Sequence, residues 1–75
     1  MKEQQHFRTR AYGRTELAQL YSPSLAPGAA WRRLAEWIDH YPGLKDQLAA
    51  LGYRPGSRSW TPAQVEAIVE AIGEP

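Results

Sequence analysis

The sequence predicts a mostly α fold, a small bundle of about four helices with a short wing or hairpin. Three observations carry that prediction. Apolar residues recur at three- and four-residue spacing in four separate stretches, the signature of helices with one buried face. Prolines and glycines fall between those stretches, where helices start and stop. One segment, YRPGSRSW, has a Pro-Gly turn flanked by residues able to pair as strands.

The elements follow in order. Residues 1–6 are polar and are expected to form a flexible N-terminal tail, leaving residues 7–75 as one domain. FRTRAY, Phe7 to Tyr12, alternates in a period of two and predicts a short strand or extended arm. TELAQLY predicts a two-turn helix with Thr15 as N-cap and Glu16 in the first turn, burying Leu17, Leu20 and Tyr21. Pro23 and Pro27 break the chain, and Pro27 suits the first turn of a second helix that reads to about His40. In that helix Trp31, Leu34, Ile38 and Tyr41 make a core stripe, widened by Ala30 and Trp37. Pro42 opens a third helix with Leu44, Leu48 and Leu51 buried and Gly52 as its stop. Tyr53-Arg54 and Arg58-Ser59-Trp60 are expected to pair as a small hairpin across Pro55-Gly56. Thr61, Pro62 and Gln64 are an N-cap, an N1 proline and the third position of a capping box. The last helix then buries Val65, Ile68, Val69 and Ile72 and ends at Gly73.

Composition limits the chemistry. Seventy-five residues make one small domain, which buries roughly 60% of the surface its unfolded chain exposes. There is no cysteine, so disulfides, thiolate catalysis and cysteine zinc sites are excluded. The N-terminal residues lack the apolar run of a signal peptide and no stretch is long and apolar enough to span a membrane, so a cytoplasmic protein is expected. His6 lies in the expected tail. His40 lies at a helix end, where the dipole favours a cation. No phosphate-binding glycine loop, metal-ligand spacing or nucleophile elbow is present. The expectation is a non-enzyme with no cofactor, no metal and no small-molecule substrate. The net charge of +1 hides an asymmetry: residues 1–58 carry nine basic and five acidic groups, whereas residues 59–75 carry Glu66, Glu70 and Glu74 and no basic group.

The motifs YGRTELAQLY, Tyr12 to Tyr21, and PGLKDQLAALG, Pro42 to Gly52, together with the TP-x-QV opening and G-EP ending of Thr61 to Pro75, resemble a family of short bacterial proteins. That family, known mainly from gut Bacteroides-type genomes, is a domain of unknown function. A looser likeness is to excisionase and MerR-like winged helix-turn-helix proteins. It implies a helix-turn-helix-like domain with Glu16 to Tyr21 as supporting helix, Gly28 to His40 as recognition helix and Arg54 to Arg58 as wing. The break SPSLAPG is longer than the usual three-to-four-residue turn of that motif.

The arginines carry the functional expectation. Arg32 and Arg33 lie one and two positions after Trp31, off the core stripe, so both can reach base edges if this helix enters a major groove. Arg10, Arg14, Arg54 and Arg58 are the expected backbone contacts, and five neutralised phosphates would give a salt slope of about −4.5. The same arginines fit a solvated face, where an Arg32–Glu36 pair contributes only about 0.2–0.5 kcal/mol. The expected partner is double-stranded DNA. The alternative is a protein-interaction adaptor, or a homodimer, working through Glu66, Glu70 and exposed aromatic residues.

Overall fold

The computed structural model describes residues 7–75; the expected tail, residues 1–6, lies outside them. Among the described residues four helices and one two-stranded sheet follow in the order β1 (Tyr12–Gly13), α1 (Arg14–Tyr21), α2 (Pro27–His40), α3 (Leu44–Ala50), β2 (Ser59–Trp60) and α4 (Pro62–Ile72). The mostly α bundle is thus observed, with a minimal β element. The two strands pair antiparallel, Tyr12 opposite Trp60 and Gly13 opposite Ser59. They join chain segments far apart in sequence and close the fold at the starts of α1 and α4.

The core is built where the four apolar faces meet. Leu17, Ala18, Ala30, Leu34, Ile38, Leu44, Leu48, Val65, Ala67 and Ile68 are buried, with Tyr12 and Trp60 from the sheet. On α2 the buried stripe is Ala30–Leu34–Ile38, at i, i+4, i+8. That moves the expected stripe round the helix. Trp31 is only half-buried, and Trp37 and Tyr41 are 38% and 44% exposed. Leu20 and Leu51, also expected inside, are 43% and 39% exposed. Ala18 takes the inner place on α1, and Leu51 falls at the C-cap of α3, beyond its last buried turn.

The strand expectation at Phe7 to Tyr12 is corrected to Tyr12–Gly13. The preceding residues curl on themselves: the Phe7 ring stacks on Tyr12 at 5.3 Å, and the Tyr12 hydroxyl donates to the Arg8 carbonyl at 2.7 Å. The local hairpin over residues 53–60 is also corrected. Its turn forms, with Gly56 at φ +91° and Ser57 N–H donating to the Arg54 carbonyl at 3.0 Å. Its flanks do not pair, because Tyr53 already caps α3. Tyr53 N–H donates to the Leu48 carbonyl at 2.9 Å and Gly52 N–H to Ala49 at 3.0 Å, with Gly52 at φ +97°. This is the paired bonding of a Schellman end. β2 therefore finds its partner in β1.

Helix starts explain the remaining boundaries. α1 begins one residue before Thr15, with Gly13 as N-cap, because Glu16 reaches back to accept the Gly13 N–H at 2.9 Å. At α4 the expected cap is present: the Thr61 side chain accepts from Gln64 N–H, and Gln64 Oε1 accepts from Thr61 N–H at 3.0 Å. Gln64 has a second task. Buried at 3% exposure, it donates Nε2–H to the Leu51 carbonyl at 3.0 Å and so ties α4 to the end of α3.

Candidate functional site

The basic groups are organised from the β1–α1 corner. Arg14 is the first residue of α1, and its backbone N–H donates to the Arg58 carbonyl at 2.9 Å. This bond continues the β1–β2 pairing and fixes the end of the 54–58 segment against α1. The Arg14 side chain then crosses to α2, with its guanidinium carbon 4.7 Å from the Trp31 ring centroid. Its Nε is shut off from solvent without an acceptor among the described residues. The indole face offsets part of that lost hydration through cation–π attraction. Trp31 is itself backed by Trp60, ring centroids 6.1 Å apart. Arg14 and Arg58 line one concavity of about 510 Å³ with Gly13, Thr15, Glu16 and Gly56.

Arg10 borders this corner but is engaged. Its guanidinium lies 3.8 Å from the Tyr12 ring centroid and 3.2 Å from the Glu16 carboxylate. The Gly13 N–H first, and Arg10 second, hold the Glu16 carboxyl below its usual range. Both partners of the ion pair are about half exposed, so its contribution to stability is small.

Arg32 stands at the rim of a second hollow, about 560 Å³, between α2, α3 and the turn before β2. Trp31, Tyr53 and Trp60 form its aromatic wall, with Tyr53 stacked on Trp60 at 4.5 Å. Its rim carries both signs of charge, with Glu36 and Asp39 beside Arg32 and Lys45. Asp39 and Lys45 bridge at 3.0 Å, and this bond lowers the Asp39 pKa. Arg54 is exposed, one residue before Pro55 in this wall, and its backbone is braced by the Ser57 hydroxyl at 3.2 Å.

A family described as Domain of unknown function (DUF4248) has a model that matches residues 8–75. The chain belongs to this family. The match takes in nearly the whole chain, including every arginine considered above. Comparisons with curated proteins and with solved structures give no match.

The DUF4248 domain does not gather all its expected site residues. Arg33 turns to the other flank of α2, its guanidinium carbon 5.8 Å from the Trp37 ring centroid. Trp37 meets Tyr21 edge-on at 6.0 Å, and the Tyr21 hydroxyl donates to the Gly73 carbonyl. Burial, and then the charge of Glu74, push the Tyr21 hydroxyl up to about 12. Glu66 and Glu70 are exposed on α4, on the side away from its buried Val65 and Ile68. They line neither hollow that holds the arginines. His40 Nδ1 lies 2.8 Å from the Glu36 carbonyl, which can only accept, so Nδ1 carries the proton there. Among the described residues no group of three or more His, Cys, Asp or Glu could hold a metal ion, and no helix is long and apolar enough to cross a membrane.

The sequence reading missed Tyr53 and Trp60 as walls of the α2–α3 hollow. The available signal was the pair of aromatics bracketing the Pro-Gly turn, Tyr53 and Trp60, which suit a stack across it.

Proposed function

We propose that the DUF4248 domain is a non-catalytic binder of double-stranded DNA, acting in a transcriptional or excisionase-like architectural role in the bacterial cytoplasm. One observation carries the reading. Arg14 joins three elements: its backbone holds Arg58 of the turn segment, and its guanidinium rests on Trp31, next to Arg32 on α2. A turn, a helix start and the exposed side of a second helix thus offer basic groups from adjoining positions. In this reading α2 enters the major groove with Arg32 toward base edges, and Arg14, Arg54 and Arg58 grip phosphates. Packing on Trp31 restricts Arg14 beforehand, which lowers the entropy lost on binding. Arg10 is spent on Glu16 and acts as a positioning residue.

The test is fluorescence anisotropy with pooled random-sequence duplexes over a salt titration. Three phosphate contacts give a slope of about −2.7 in log affinity against log salt. Arg14→Ala and Arg58→Ala should each reduce that slope by about 0.9. No binding at low salt would remove the DNA reading. The second reading, a protein-interaction adaptor, is favoured by a separate observation, the exposed aromatic flank formed by Trp37 and Tyr41.

A further inference from the structure

We propose that the Trp37 flank of α2 docks a second copy of this chain about a two-fold axis, with Arg33 of each copy facing Glu74 of the partner subunit. The inference does not rest on the DNA reading.

The flank has the make-up of an interface centre. Trp37 and Tyr41, one helical turn apart, are 38% and 44% exposed. With His40, Pro42 and Ile72 they line a shallow depression of about 390 Å³. Trp, Tyr and Arg are the residue types that dominate binding energy at interface centres. Trp37 is also held in place before any partner arrives, edge-on to Tyr21 and beneath Arg33.

The charges select the occupant. Arg33 stands at the Trp37 end of the aromatic pair. At the Tyr21 end the Tyr21 hydroxyl is bound to the Gly73 carbonyl, which brings Glu74 alongside. A two-fold contact is self-complementary: where one residue of a copy meets a second residue of the other, the reverse contact forms as well. Arg33 beside Trp37 and Glu74 beside Tyr21 give this flank a positive and a negative end, which fits that requirement. The flank lies round α2 from Trp31, Arg14 and Arg32, so both faces can be occupied at once.

Sedimentation equilibrium on the full chain tests this, with circular dichroism to confirm folding of each variant. The wild type should dimerise in the micromolar range. Arg33→Glu and Glu74→Arg should each weaken the dimer about tenfold, which is ~1.4 kcal/mol. The double exchange Arg33→Glu/Glu74→Arg should recover most of the loss, because the pair is only reversed. A wild type that stays monomeric at millimolar concentration overturns the proposal. So does a double exchange no tighter than either single variant, or a Trp37→Ala variant that dimerises as well as the wild type.

Discussion

Trp31 and Trp37 sit on the same helix, yet they do different work. Their positions differ by six, which sets them about 120° apart round a helix of 3.6 residues per turn. Trp31 is half-buried, with Trp60 behind it and the Arg14 guanidinium on its face. Trp37 is 38% exposed, edge-on with Tyr21 and with Arg33 over its ring. The first flank uses apolar area to hold a cation in place. The second leaves apolar area open. An arginine over a tryptophan therefore means different things on the two flanks. The surroundings decide: Arg14 is tied by backbone to a second segment, and Arg33 is not among the groups that meet there.

The strongest way to break this contrast is to remove the support of the first flank. Trp60 is 1% exposed and backs both Trp31 and Tyr53. Trp60→Ala should cost about 3–5 kcal/mol in chemical denaturation, enough to unfold much of a domain this small. Trp37→Ala should cost far less, about 1 kcal/mol, because its indole already meets water. Similar losses at the two sites would mean that the second flank is structural rather than open.

A smaller change sharpens the point. Gln64 supports the β2–α4 corner that places Trp60, and it uses both halves of its amide, accepting from Thr61 and donating to Leu51. Gln64→Glu keeps the acceptor and sets a carboxylate against the Leu51 carbonyl, so the denaturation midpoint should drop by the equivalent of about 1–3 kcal/mol. Gln64→Ala serves as the comparison, since it removes both side-chain contacts without adding a charge.

A last effect belongs to the second flank and is read by pH. Tyr21 has a hydroxyl raised from 10.0 to about 12. Its folded form holds the proton more tightly than the unfolded form. The stability this supplies is complete below pH 10 and is lost as pH rises from 10 to about 12. Urea midpoints of the wild type should fall across that window more steeply than those of Tyr21→Phe. Equal slopes would contradict the assignment.

Much of the fold was legible in local signals. The Thr61–Pro62–Gln64 start, the Pro27 start and the Gly52 and Gly73 stops are written in neighbouring residues, and each is observed. Strand pairing was not legible, because β1 and β2 meet across most of the chain and nothing local marks them as partners. Four large apolar residues were placed inside and stand exposed. Periodicity locates an apolar face but not its centre, and here Ala18 and Ala30 take inner places that larger neighbours were expected to fill. Of the candidate site, the sequence identified the arginines by type. Which of them meet depends on the Arg14–Arg58 backbone bond and on the rotation of α2, and neither is encoded locally.

The most direct test of the central claim is a nuclear magnetic resonance titration of the three tryptophan indole N–H signals with a duplex. The Trp31 signal should move as DNA is added at low salt and return as salt is raised, while the Trp37 signal stays in place. A Trp37 signal that moves with DNA while Trp31 stays still would contradict that claim, and would put the nucleic acid on the wrong flank of α2.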